Sequence, residues 1–135
     1  MEKMRIYITH CSAKKDSSFK DTREKVTPDR LYSGRKIQNF IKICRTKQVN
    51  WALFSDMYGI WFPNEKHEWY EKSPDDVTEE EFRKLLENFN KKLQSFDEIW
   101  FLHNIEDFHP MYQRLVKETT LKSRIHLFVN TDEIV

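Results

Sequence analysis

The chain has 135 residues, 39% of them apolar and ten of them phenylalanine, with 23 Lys+Arg against 22 Asp+Glu for a formal charge of +1. That is enough apolar surface to core one domain without disulfides or metals, so residues 1–135 are expected to form a single α/β domain. Two cysteines, Cys11 and Cys44, exclude a disulfide scaffold, and the absence of CxxC or CxxxH spacing excludes a structural zinc. No apolar run nears the ~20 residues of a membrane helix, and residues 1–5 lead directly into a strand instead of a signal-peptide core. A reduced, soluble, cytoplasmic protein with no membrane contact is expected.

The near-neutral balance conceals a division. Residues 1–50 hold 13 Lys+Arg against 5 Asp+Glu, leaving 10 against 17 for the remainder. If folding keeps the basic part on one face, phosphate-bearing ligands are favoured there; if the halves pair, the field cancels.

Residues 4–9 are rich in β-branched and aromatic side chains and predict a buried strand. It runs into His10-Cys11-Ser12-Ala13-Lys14-Lys15, a small, polar, doubly basic loop of the kind that holds ligands in α/β proteins. Both lysines precede any predicted helix, and Ser12 and Ala13 permit close backbone approach to a ligand. An anion, above all a phosphate, is the natural partner; plain solvated surface is the alternative. Residues 16–30 are polar, without sustained period, and read as an excursion or lid.

A helix is predicted to start near Ser33 as N-cap, with Ile37, Phe40, Ile41 and Cys44 on one buried face. Trp51-Ala52-Leu53-Phe54 is a second buried strand, ended by Ser55-Asp56-Met57-Tyr58-Gly59. Residues 60–77 contain four aromatics and no clear period, which predicts an ordered loop. Thr78 to Glu81 spell a capping box, and Phe82, Leu85, Leu86, Phe89 and Leu93 supply the apolar face of a helix ending near Ser95. Residues 98–102 form a third strand ending in His103-Asn104. Pro110 opens a helix whose buried side includes Met111, Leu115 and Val116, and residues 124–129 form a fourth strand ending at Asn130.

Four apolar strands separated by helices imply right-handed crossovers and a three-layer α/β/α sandwich around a four-stranded, mostly parallel sheet. The strand ends carrying Cys11 to Lys15, Ser55 to Gly59, His103-Asn104 and Asn130 then share one edge, the usual ligand edge of such a sheet. Average usage would supply about nine glycines in this length, yet the chain has two, Gly34 and Gly59. Both are therefore expected where a Cβ is forbidden, Gly59 above all, because a left-handed turn there would aim Ser55 and Asp56 into the crevice; two ordinary turns are the alternative.

Asp56 is the leading general-base candidate and Asp29 a second acid of the same kind; N-glycosidic cleavage or transfer commonly uses such carboxylates. Cys11, beside His10 and near Lys14 and Lys15, is either a nucleophile of lowered pKa or a small wall residue. Tyr32, Tyr58, Trp61 and Tyr70 are candidates to stack on a base or to be core. His67, His103 and His109 lack the supporting pattern of a metal site, so no metal or cofactor is expected.

Three blocks in order carry a resemblance: H-C-S-A-K-K, then D-R-L-Y-S-G, then L-F-S-D-M-Y-G-I-W-F-P. Together, over roughly residues 4–70, they resemble the pattern C-(S/G)-x-K-K, L-Y-x-S, L-S-A-x-Y-G-L-x-x-P of a family of small α/β proteins from bacteria, archaea and phages. A similar P-C-S-A-x-K loop occurs in a domain of the archaeosine synthases. The resemblance implies a fold related to the uracil-DNA glycosylase type, strand order 2-1-3-4, and an association with nucleobase or nucleic-acid chemistry, without an assigned reaction. The chain departs from the pattern at Asp56, where a small residue is usual, and at Phe54 in place of leucine. The water-activating Q-D-P-Y-H loop and the H-P-S-P loop are missing, so uracil excision is not expected.

The resulting expectation is a nucleotide- or nucleobase-binding enzyme or substrate-recognising domain. Lys14 and Lys15 bind phosphate, Ser12, Ser33 and Ser55 hydrogen-bond, Tyr32 or Tyr58 stacks, Gly59 permits close approach, and Asp56 acts. The competing class is a non-catalytic nucleic-acid-binding module using the basic residues 14–47. A small-metabolite-binding protein fits the composition equally well.

Overall fold

The computed structural model describes residues 3–11, 14–103 and 108–135. Its strands are β1 (Arg5–His10), β2 (Asn50–Ser55), β3 (Gly59–Trp61), β4 (Glu98–Leu102) and β5 (Ile125–Phe128). The run from Ile6 to Thr9 is buried at every position, as a central strand sandwiched between two layers requires. β1 accordingly pairs in parallel with β2 on one side and with β4 on the other. β5 continues in parallel beside β4, whereas β3 turns back antiparallel to β2.

The sheet is thus five-stranded and mixed, in the order β3-β2-β1-β4-β5, instead of the four-stranded, mostly parallel sheet expected. The difference is β3, whose three residues are too few to display a period of two. The parallel strands alone lie in the order β2-β1-β4-β5.

Successive side chains divide between two cores on opposite faces of this one sheet. Ile6, Ile8, Ala52, Phe54, Ile99 and Phe101 pack with α3 (Glu79–Leu93) and α4 (Pro110–Glu118). Tyr7, Trp51, Leu53 and Phe128 pack with α1 (Pro28–Leu31) and α2 (Arg35–Lys47). Helices on both faces give three layers.

Helix α3 follows its sequence signal closely: Thr78 Oγ1 accepts from the Glu81 N–H at 3.2 Å, and Glu81 accepts from the Thr78 N–H at 3.0 Å. Helix α2 buries the expected Ile37, Phe40, Ile41 and Cys44, but its N-cap is Gly34 and not Ser33. The Ser33 N–H is spent on the Lys14 carbonyl at 3.2 Å, which draws this residue into the basic loop. α4 starts at Pro110 as expected, yet its buried set is Met111, Tyr112 and Leu115, with Val116 only partly covered. β5 is shorter than residues 124–129 because Lys122–Arg124 forms a 3-10 turn.

The polar excursion is no free lid. It contains a 3-10 turn (Ser17–Phe19) and α1, and Val26 exchanges two backbone hydrogen bonds of 2.9 Å with His67 of the aromatic loop. That loop is itself tied down by Trp61 Nε1 donating to the Glu65 carbonyl at 2.7 Å.

The two glycines differ in kind. Gly34 has an ordinary extended conformation, contrary to the expectation, while Gly59 sits at φ +75°. A Cβ at Gly59 would also lie 2.6 Å from Asn88 Cγ, and Asn88 Oδ1 accepts the Ile60 N–H at 2.8 Å. Gly59→Ala therefore meets backbone strain and displaces a side chain that fastens β3 to α3. It should cost about 2–3 kcal/mol in urea denaturation, and about 1 kcal/mol when introduced into Asn88→Ala, where only the strain remains. Equal costs in both backgrounds would show that the contact contributes nothing.

Candidate functional site

Beyond the last pair of β1 and β2, the Cys11 N–H still donates to the Phe54 carbonyl at 2.8 Å, so the two strand ends stay together where polar residues begin. Cys11, Ser55 and Asp56 are all buried there, Asp56 at 3% exposure. Three tyrosines from other elements converge on them. Tyr112 of α4 donates its hydroxyl to Asp56 Oδ1 at 2.6 Å, and the Cys11 sulfur lies 3.5 Å from the same hydroxyl. Ser55 Oγ donates to the Tyr70 hydroxyl at 3.0 Å and accepts the N–H groups of Met57 and Tyr58, each at 3.1 Å. Tyr70 in turn shares a hydrogen bond with Tyr32.

The electrostatics of this network follow from burial. Loss of water raises the Asp56 carboxyl above its usual range, against the opposing effects of the Tyr112 and Cys11 hydrogen bonds and the charges of His10 and Lys15. Burial and the neighbouring Asp56 push the Cys11 thiol up to about 12, opposite to the direction an activated nucleophile needs. Cys11 is accordingly a neutral, buried thiol. Burial likewise holds Tyr32, Tyr70 and Tyr112 above the ordinary phenol range, so they remain hydroxyl donors.

A cavity of about 610 Å³ opens at Asp56, walled by Tyr58, Lys72, Glu81, Leu85 and Asn88 among others. Lys72 and Glu81 pair with each other. Of the expected site residues, Asp56 and Tyr58 reach this wall. Lys15 sits to one side, its ammonium 4.5 Å from the centre of the Tyr70 ring, while Lys14 is exposed. Tyr32 is fully buried and meets Trp61 edge to face at 5.8 Å, so it is core and offers no stacking surface. Tyr58 is stacked on His67 at 4.0 Å. Ser33 is exposed beside the basic loop, and Ser12 and Asn104 lie outside the described residues.

Asp29 does not join Asp56 in the hydrogen-bond network. Its carboxylate pairs with Arg45 at 3.1 Å, and although burial acts to raise it, the hydrogen bonds from Thr27 and Arg45 hold it below the usual range. The histidines have structural tasks: His109 caps α4 through Met111 N–H at 3.0 Å and meets Asp75 at 2.6 Å, and His103 lies against Phe108. Among the described residues no group of three or more His, Cys, Asp or Glu is placed to hold a metal.

Two participants were not singled out by the sequence: Asn88, and Tyr112, which also stacks on His10 at 4.7 Å. Tyr112 was legible in principle, because Tyr112, Leu115 and Val116 follow i, i+3, i+4 spacing. Comparison of the chain with protein-family models, with curated proteins and with solved structures finds no match.

A buried carboxyl with a raised pKa weakens the fold once ionised. Because the folded pKa exceeds the unfolded value, its stabilising contribution is complete below pH about 4 and is lost as pH rises through the folded pKa. Asp56→Asn should therefore be more stable than the wild type by about 1 kcal/mol near neutrality, with the gap closing toward pH about 4 in paired thermal melts. Tyr112→Phe removes a hydrogen bond to the ionised form, so the Asp56 carboxyl should titrate still higher by carbon NMR. An unmoved or lowered titration would show that Tyr112 does not stabilise the charge.

Proposed function

We propose that this protein binds a nucleotide or nucleobase at the C-terminal ends of β1 and β2, with Asp56 acting on an N-glycosidic bond or in base modification. The observation that carries the reading is Asp56 itself: a carboxylate 3% exposed, free of a direct ion pair with Lys or Arg among the described residues, and set in the wall of a cavity of about 610 Å³. Structural acids are ordinarily neutralised by a salt bridge or left in water. A buried carboxyl beside an open cavity is the arrangement of a general acid or base.

The neighbouring charges support a ligand with two unlike ends. Asp56 accepts hydrogen bonds and suits a base presenting N–H groups. Lys15 lies close enough to oppose the upward shift of Asp56, and the adjacent Lys14 is exposed; both suit a phosphate. Tyr58 adds an aromatic surface in the cavity wall. In hydrolysis, the bond between the sugar C1′ and the base nitrogen breaks, water's hydroxyl bonds to C1′, and the water proton passes to Asp56 and on to the leaving base. The three sequence blocks that resemble the family of small α/β proteins contain Cys11, Lys14, Lys15 and Tyr32, and the association of that pattern with nucleobase or nucleic-acid chemistry supports the ligand class, whereas Asp56 departs from the pattern and is carried by its geometry alone.

A second reading rests on α2, which carries Arg35, Lys36, Lys42, Arg45 and Lys47 and no acidic residue. This is the footprint of a non-catalytic nucleic-acid module. Thermal shift against nucleobases, nucleosides, nucleotides, transfer RNA and single-stranded DNA at two salt concentrations separates the two. A nucleotide at 100-fold excess over its Kd should add about 2.7 kcal/mol, several degrees in Tm. Lys14→Ala with Lys15→Ala should remove that shift, and Asp56→Asn should retain binding but release no base. Salt-sensitive stabilisation by polynucleotide alone would favour the module, and silence from every ligand would overturn both.

A further inference from the structure

The two edges of the sheet are finished differently. At the β3 edge, the side chains of α3 close the outward backbone groups: the Ile60 N–H is taken by Asn88 at 2.8 Å and the Ile60 carbonyl by Lys92 Nζ at 3.1 Å. The following Phe62 N–H is taken by Glu65 at 2.7 Å. Among the described residues the β5 edge has no such cover. The Phe128 carbonyl faces β4, where it accepts the His103 N–H at 2.9 Å, and by alternation the N–H and C=O of Leu127 point away from the sheet. No proline or lysine blunts β5, and Leu127 and Val129 are 47% and 51% exposed.

We infer that β5 pairs antiparallel with β5 of a second copy of this chain, joining two five-stranded sheets across a two-fold axis at Leu127. Three observations fix the occupant and the register. First, pairing Leu127 with the partner copy's Leu127 aligns residues whose backbone groups both face outward, and it sets Ile125 opposite Val129. The Ile125 N–H is already used by the Lys122 carbonyl, so that pair bonds through the Ile125 carbonyl and the Val129 N–H.

Second, the same register gathers the apolar side chains. Ile125 and Leu127 share one face of β5, the alternation carried one residue past its end brings Val129 to the same side, and their counterparts come to the same face of the joined sheet. On the other face His126, stacked on Trp100 at 5.1 Å, comes opposite Phe128.

Third, the ends of β5 are oppositely charged. Lys122 and Arg124 precede it, and Asp132 and Glu133 follow it. An antiparallel two-fold brings each basic end against the other copy's acidic end, whereas a parallel pairing would set like against like. Four residues of edge make a small interface, so the dimer belongs to the weak, concentration-dependent class.

Sedimentation velocity of the full chain over a wide concentration range, with Leu127→Lys alongside, tests this. The wild type should shift toward a dimer as concentration rises. Leu127→Lys, which sets two ammonium groups against each other across the axis, should remain monomeric with an unchanged melting temperature, since the side chain is already half exposed.

A second variant protects the test from misfolding. Directly opposed residues of a hydrogen-bonded pair have Cα atoms about 5.5 Å apart, within reach of a disulfide. Leu127→Cys should therefore oxidise rapidly to a covalent dimer, while the equally exposed Met57→Cys should not. Cys11 and Cys44 are buried and do not compete. A wild type that stays monomeric at every concentration, a dimer that survives Leu127→Lys, or cross-linking equal for Leu127→Cys and Met57→Cys would each overturn the pairing.

Discussion

A carboxylate at the junction of two parallel strand ends needs several elements to hold it, and the interior near Asp56 is organised around that need. Parallel pairing of β1 and β2 keeps the strand ends together, which brings Cys11 beside Asp56. Both side chains are buried there, so each is met by a neutral donor or acceptor. Tyr112 supplies one hydroxyl to both. The docking of α4 is therefore more than apolar: Met111 and Leu115 give it buried area, and Tyr112 gives it a fixed register against the strand ends.

Ser55 does for the turn what Tyr112 does for the acid. Its Oγ accepts two consecutive N–H groups of the turn that follows β2 and donates a hydrogen bond to Tyr70. The chain can then reverse at Gly59, whose positive φ starts β3 against β2. Asn88 occupies the space that a Cβ would need and fastens the reversed strand to α3. Backbone reversal, helix docking and one wall of the cavity thus depend on the same few atoms, and this couples the position of Asp56 to the packing of α3.

Signals that act over one or two turns were legible in the sequence. The Thr78 capping box, Pro110 at a helix start and the apolar faces of α2 and α3 involve neighbours within a few residues, and the structure has each of them. The edge carrying Cys11, Ser55 and Asp56 could be anticipated because parallel connectivity forces strand ends together. What was not legible depends on partners far apart in sequence. The hydroxyl of Tyr112 reaches Asp56 across 56 residues, and Val26 meets His67 through an isolated bridge that no local pattern encodes. Asp29 reads like Asp56 in composition, and only the position of Arg45 separates the structural acid from the one at the cavity. Cys11 shows the same limit from the other side: a thiol among basic residues leaves nucleophile and passive residue both open, and only its burial and the nearby carboxylate fix the direction of its pKa as upward.

The charge division along the chain also acquires a spatial sense. Ion pairs such as Arg5 with Glu98 and Lys20 with Glu71 join the two halves and cancel part of it. What remains is arranged locally. Asp56, Glu71, Asp76 and Glu81 outnumber Lys72 and Lys84 in the cavity wall, while Lys14 and Lys15 stand on the loop beyond Asp56. A simple anion is attracted to the loop and repelled by the cavity, and a simple cation experiences the reverse. Only a molecule that carries hydrogen-bond donors at one end and negative charge at the other gains from both, and it gains in one orientation. This polarity, more than the number of basic residues, is what supports the ligand class proposed for this sheet edge.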